Sequence, residues 1–173
     1  YKNIYTFKNH DFSNSSKSMD ISLANTIKGF NSFISKINPD LIIVHGDRVE
    51  ALAGAISGSL NNKLVAHIEG GEISGTIDEI IRHAVTKMSH IHFVSNKQAA
   101  DRLTQLGEIN NSIYVIGSPD LDLMNPAHLP DIDFVKNYYD ISFDNYALAA
   151  YHPVTTELEH IPKNAEIFVN SLI

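Results

Sequence analysis

"VHGDRVEALAGAISGSLNNKLVAHIEGGEISGTIDEIIRH", residues 44–83, is the stretch that decides the fold. It holds two short apolar runs, ending at His45 and Ile68. Glycine and carboxylate follow each run directly, as Gly46-Asp47 and as Glu69-Gly70-Gly71. Such β-branched runs are of the type buried on both faces of a parallel sheet. Between them Val49, Leu52, Ala53, Ile56 and Leu60 recur at helical spacing. Thr76-x-x-Glu79 then resembles a capping box at the start of a further helix. A charged group at the end of a buried strand is costly without a partner, so Glu69 calls for a task.

Outward from this stretch the alternation continues. Upstream, residues 9–18 read as loop. Asp20 can cap a helix carrying Leu23, Ile27, Phe30, Ile34 and Ile37, which Pro39 closes. Strands are expected at 41–45, 63–68, 90–94 and 112–117. Asn61-Asn62 stops the helix after the first strand. Ile77, Ile80, Ile81, Ala84, Val85 and Met88 mark the next. Ser95-x-x-Gln98 reads as a second capping box for a helix that Gly107 ends. Alternation of this kind means right-handed βαβ units. The expected fold class is α/β, a Rossmann-like parallel sheet with helices on both faces. After Gly117 the texture changes to "SPDLDLMNPAHLPDID". Residues 1–117 are expected to form one domain, 118–144 a connector, and 145–173 the start of a second domain. That second domain would open with a strand, "YALAAY" at 146–151, followed by "HPVTTELEHIP".

Composition narrows the function. The chain has 173 residues, about one ordinary domain, and is 43% hydrophobic and 19% charged, so it can build a core. A net charge of −7 argues against a nucleic-acid partner or an anionic membrane surface. The absence of cysteine excludes disulfides and thiolate metal sites. With no apolar run near 18 residues and no signal peptide, a cytoplasmic protein is expected. The chain opens without Met and ends in mid-pattern, and reads as a segment of a longer protein.

In open parallel α/β sheets, ligands bind beyond the carboxyl ends of the strands. Neighbouring strands lie about 4.8 Å apart, so Asp47 and Glu69 should face one crevice. Gly46, Gly70 and Gly71 allow positive φ and close approach of a ligand there. Simpler readings coexist. Asp47 can be the N-cap of the following helix. Asp78 and Glu79 suit a helix start, where the dipole favours acids. Arg82, one turn later, can pair with either. His45 and His67 end their strands at matching places, and a metal pair is conceivable. His90 and His92 share a strand face, which suits ordinary packing.

"GDRVEALA", "HIEGGEISGTIDEIIRHAVTKMSHIHF" and "HPVTTE" together closely resemble the hydrolysing UDP-N-acetylglucosamine 2-epimerases, over roughly residues 40–160. The non-hydrolysing branch is similar. It typically carries Ala-Gly then Leu-Arg where this chain has Gly70-Gly71-Glu72-Ile73, and arginines where this chain has Pro153-Val154.

The resemblance implies a two-domain architecture of the glycosyltransferase-B type, with a UDP-sugar in the cleft. It implies catalytic roles for Asp47, Glu69, Asp78, the neighbouring Glu79, and His152. Substrate contacts would come from Gly46, Arg48, Gly70, Gly71, Arg82 and Pro153. The reaction would be elimination of UDP to a 2-acetamidoglucal, then addition of water with inversion at C2. Asp47 is the first candidate for the C2 base, with Glu69 and Asp78 serving protonation and water. His152 would stabilise leaving charge near the diphosphate. The scheme needs no cofactor and no metal. A homo-oligomer is expected, and this segment alone is expected to be inactive. Three alternatives stand beside it. One is the same reaction on UDP-2,4-diacetamido-2,4,6-trideoxyglucose. The others are a glycosyltransferase of this architecture and a non-catalytic nucleotide-sugar-binding module.

Overall fold

The structure is a computed structural model that describes residues 4–9, 18–153 and 158–172. The chain divides into two compact units, Tyr1–His128 and Leu129–Ile173.

The first unit is built on four parallel strands in the order β1-β2-β3-β4: β1 (Leu41–His45), β2 (Leu64–Ile68), β3 (Ile91–Val94) and β4 (Ile113–Val115). Helices α1 (Met19–Ile37), α2 (Val49–Leu60), α3 (Ile77–Lys87) and α4 (Lys97–Gln105) alternate with them. The α/β class expected from the sequence is what forms. Register pairs Val44 with His67, and His67 with His92. These residues share one face with Ile42, Val65 and Val94.

That face meets the helices. Val44, Val65, Ala51, Ala55, Ile81 and Val85 form one core cluster, so α2 and α3 both dock there. Val94 packs with Ala99 and Leu103 of α4, beside Ile113. Helices on both faces were expected. Among the described residues α2, α3 and α4 cover one face, and the opposite face carries Leu41, Ile43, Leu64 and Tyr114, all exposed. Helix α1 packs on α2 rather than on the sheet. Tyr5 stacks on its Phe33 with ring centroids 4.6 Å apart, and Phe7 meets its Phe30 edge-on.

Helix ends depart from the expected caps. Ser18, not Asp20, occupies the N-cap position of α1, and Asp20 sits in the first turn, where the dipole favours it. The cap of α4 is Asn96, whose side chain accepts from the Ala99 amide at 2.8 Å. Ser95 turns away to donate to Glu72. The helix begins one residue later than the Ser95-x-x-Gln98 spacing suggests, because Asn is at least as good a cap as Ser.

After β4, Pro119–Leu123 forms the short helix α5. The second unit contains α6 (Ile132–Tyr138), capped by Asp131, and α7 (Ile161–Asn170). The strand expected at 146–151 does not form; those residues are without regular structure. A strand is held by ladder bonds to a neighbour, and apolar content alone supplies none. Residues 154–157 of the "HPVTTE" motif lie outside the described residues.

Candidate active site

The two strand ends build the site. β1 closes with His45. Gly46 then takes φ +78° and its amide still donates to the Ile68 carbonyl at 3.0 Å, extending the ladder by one bond. This turn projects Asp47. The N-cap of α2 is Arg48, exposed and without a side-chain cap bond, so Asp47 is not the cap its spacing allowed. Its carboxylate instead receives the Arg82 guanidinium from α3. Arg82 also donates to the Glu72 carbonyl at 2.8 Å. The pairing with Asp78 or Glu79 that helical spacing offered does not form.

Beneath the turn lies His67, fully buried. Its Nε2 is 3.0 Å from the Gly46 carbonyl, and its Nδ1 is 3.1 Å from the Thr86 hydroxyl. A carbonyl only accepts, so Nε2 carries the hydrogen and Nδ1 accepts from Thr86. Burial pushes the His67 pKa down to about 4, against the pull of the Gly46 bond. A neutral, fixed imidazole therefore supports the Asp47 turn.

β2 closes with Ile68, and Glu69 adopts φ +65°, in the left-handed region. Its amide donates to the Phe93 carbonyl at 2.8 Å. One carboxylate oxygen lies 2.8 Å from His45 Nε2, and the other accepts from the Ser118 hydroxyl at 3.0 Å. Partial burial raises the Glu69 pKa, but the bonds from His45 and Ser118 and the nearby charges of His45 and Arg82 outweigh it. The net shift is downward.

The loop that follows is clamped. Gly71, at φ +84°, leaves no room for a side chain: a Cβ there would lie 2.6 Å from the Ala99 carbonyl oxygen. A Cβ on Gly70 would meet His67 Nδ1 at 2.9 Å. Both glycines are buried. Arg102 donates to the Gly71 carbonyl. The Glu72 carboxylate accepts from Ser95 and Asn96, so the loop is tied to the start of α4.

At the start of α3, Thr76 makes no side-chain cap bond, but Glu79 accepts from the Ser74 and Gly75 amides at 2.6 and 2.7 Å. Neither bond of the expected capping box forms, because the Glu79 carboxylate reaches past the Thr76 amide to the two amides before it. The Gly75 and Ser74 bonds lower the Glu79 pKa. Asp78 is exposed in the same first turn.

The structure therefore gathers Asp47, Glu69 and Arg82 with the α3 start at the carboxyl edge of β1 and β2. His152 and Pro153 belong to the second unit and are exposed. His152 lines a cavity of about 470 Å³ there with Tyr151, Asn164 and Phe168. Among the described residues there is no cluster of three or more His, Cys, Asp or Glu suited to a metal. His45 and His67 are engaged by Glu69, Gly46 and Thr86 instead. Sequence reasoning missed Ser118, Thr86, Arg102 and the role of His45. The only signal for His45 was its position at the end of the strand beside Glu69.

The family described as UDP-N-acetylglucosamine 2-epimerase matches residues 3–172. The chain belongs to this epimerase family.

Among its relatives is a UDP-N-acetylglucosamine 2-epimerase of Neisseria meningitidis serogroup B, 46% identical over 99% of this chain and 45% of the relative. Another is a hydrolysing UDP-N,N'-diacetylbacillosamine 2-epimerase of Legionella pneumophila, 37% identical over 83% of this chain and 38% of the relative. A crystal structure of the Methanocaldococcus jannaschii UDP-GlcNAc 2-epimerase, in complex with UDP-GlcNAc and UDP, superposes with a TM-score of 0.78 at 25% identity, covering 87% of this chain and 44% of that one. This epimerase-family chain thus spans less than half the length of these relatives. No described helix is long and apolar enough to cross a membrane.

Proposed function

We propose that this chain carries the acid–base half of a hydrolysing sugar-nucleotide 2-epimerase, which converts UDP-N-acetylglucosamine to N-acetylmannosamine and UDP. The observation that carries the reading is the meeting of Asp47, Glu69 and Arg82 at the carboxyl edge of adjacent strands. The hydrogen on C2 is only weakly acidic, so its removal needs a positioned base and assisted departure of UDP. Rehydration needs an acid at C2 and a base for the water. Several carboxylates in different settings around one sugar meet those needs. Asp47 is paired with a cation, Glu69 is held by two donors, and Asp78 is exposed.

In this reading residues 1–117 belong to a first Rossmann-like domain, 118–144 to a connector and 145–173 to a nucleotide-binding second domain. His152 acts on the diphosphate from that second domain. The "HIEGGE" stretch supports the hydrolysing branch, in which Glu72 ties the loop to Ser95 and Asn96. The similarity to the Legionella enzyme favours a second substrate reading, a UDP-2,4-diacetamido sugar.

The test is product analysis in the protein of full family length that carries this chain. Free N-acetylmannosamine with UDP is the expected outcome. UDP-N-acetylmannosamine in its place would refute the hydrolysing assignment, and turnover of only the 2,4-diacetamido sugar would change the substrate. Asp47→Asn, Glu69→Gln and Asp78→Asn are each expected to lower turnover on the order of 10²–10⁴-fold. Near-normal rates in all three would remove the carboxylate mechanism.

A further inference from the structure

We propose that His45 and Ser118 are positioning residues for Glu69, and that the carboxylate they hold is the group that takes the proton from C2. The second half rests on the reaction proposed above.

Glu69 is not at rest in its backbone. A non-glycine residue at φ +65° is held in a sparsely populated region. Such conformations persist where surrounding contacts over-determine them, and they cluster at active sites. Here the contacts are specific. His45 comes from the end of β1, and Ser118 from the N-cap of α5, 49 residues along the chain. Each approaches a different carboxylate oxygen, at 2.8 and 3.0 Å. Two donors on two oxygens suit an ionised carboxylate, which only accepts.

The titratable and charged groups facing Glu69 act in the same sense. They are His45 from β1 and Arg82 from α3, and both favour the anion. The competing acids are differently occupied. Asp47 is neutralised by Arg82, and Glu79 is spent on the Ser74 and Gly75 amides. Asp78 is left for protonation or water. In the step itself the C2–H bond breaks and its proton passes to Glu69. The freed pair becomes the C1–C2 double bond, and the C1–O pair departs on the UDP oxygen.

The experiment uses His45→Leu, His45→Gln and Ser118→Ala. The His45 side chain is 49% exposed, so these changes spare the core. In the full-length protein His45→Leu should lower kcat by roughly 10- to 100-fold, the value of a hydrogen bond to a charged group. KM should change less than about threefold, because substrate contacts are untouched. The acid limb of the kcat–pH profile should move to higher pH, since Glu69 loses a bond that favours its ionised form. His45→Gln, which keeps an N–H donor, should recover most of both effects. Ser118→Ala should shift both less and in the same direction. Unchanged kcat and limb in His45→Leu, or equal losses in the Leu and Gln variants with the limb in place, would overturn the proposal.

A carbon NMR titration of the Glu69 carboxyl in this chain separates the two halves. A raised midpoint in His45→Leu confirms the positioning even if no UDP-sugar is turned over, and in that case the proton role falls alone. An unmoved midpoint overturns the positioning, whatever the activity.

Discussion

The Arg82 guanidinium closes on the Asp47 carboxylate, joining α3 to the turn after β1 across 35 residues of chain. The Arg82 side chain is 10% exposed and Asp47 27%. Removing the cation leaves a poorly solvated carboxylate and an unpaired Glu72 carbonyl. Arg82→Ala is therefore expected to cost on the order of 3 kcal/mol of stability. Asp47→Asn keeps an acceptor and should cost about 1 kcal/mol. Urea midpoints would check both. The double variant should lose less than the sum, because the two side chains share one interaction.

This pairing also shows what the sequence conveyed and what it did not. The strands and helices of the first unit were legible because their signals are local: β-branched runs at 41–45 and 63–68, and helical stripes between them. The placing of Asp47 and Glu69 just past β1 and β2 followed from the same runs. Their partners were not legible. Arg82 had acids at neighbouring helical positions, yet its true partner lies on another element. Local spacing ranks Asp78 and Glu79 first, but Glu79 is drawn to the Ser74 and Gly75 amides just before it, and only tertiary packing brings Asp47 to Arg82. The 146–151 run misled in the opposite sense, since an apolar run becomes a strand only beside another strand.

Stability should depend on pH through His67. Burial holds its pKa down from 6.5 to about 4, with the Gly46 bond opposing. Between those values the unfolded chain binds a proton that the folded chain refuses. The contribution of His67 is therefore whole above pH 6.5 and is lost as pH falls toward 4. The loss is on the order of 3 kcal/mol. Urea midpoints of the wild type and His67→Gln at pH 7 and pH 4.5 would measure it. The wild type should lose more than the variant, and equal losses would contradict the buried neutral imidazole.

Gly46 and Gly71 should differ sharply on substitution although both have positive φ. A Cβ on Gly46 meets nothing within 4 Å, so Gly46→Ala should cost about 1 kcal/mol, the backbone cost alone. Gly71→Ala adds a collision with the Ala99 carbonyl and Leu103, and should cost about 3 kcal/mol. Thermal midpoints would show the difference in order.

Asn96→Ala removes both the α4 cap and one donor to Glu72. The cap alone is worth about 1 kcal/mol. Ser95→Ala leaves the cap in place and loosens Glu72 only. Amide hydrogen exchange should therefore quicken at the start of α4 in Asn96→Ala and much less in Ser95→Ala.

Among the described residues of this chain, four large side chains on the sheet face away from α2, α3 and α4 are exposed, and this has a calorimetric consequence. Leu41, Ile43, Leu64 and Tyr114 are 41, 59, 51 and 50% exposed while the protein is folded. Unfolding cannot newly hydrate surface that already faces water. The heat capacity increment of unfolding should accordingly fall below the usual figure of about 12–15 cal/mol/K per residue. The denaturant slope, which scales with the same newly exposed area, should be shallow for a chain of this length. The stability curve should then be a broad, flat dome, with stability changing little across ordinary temperatures.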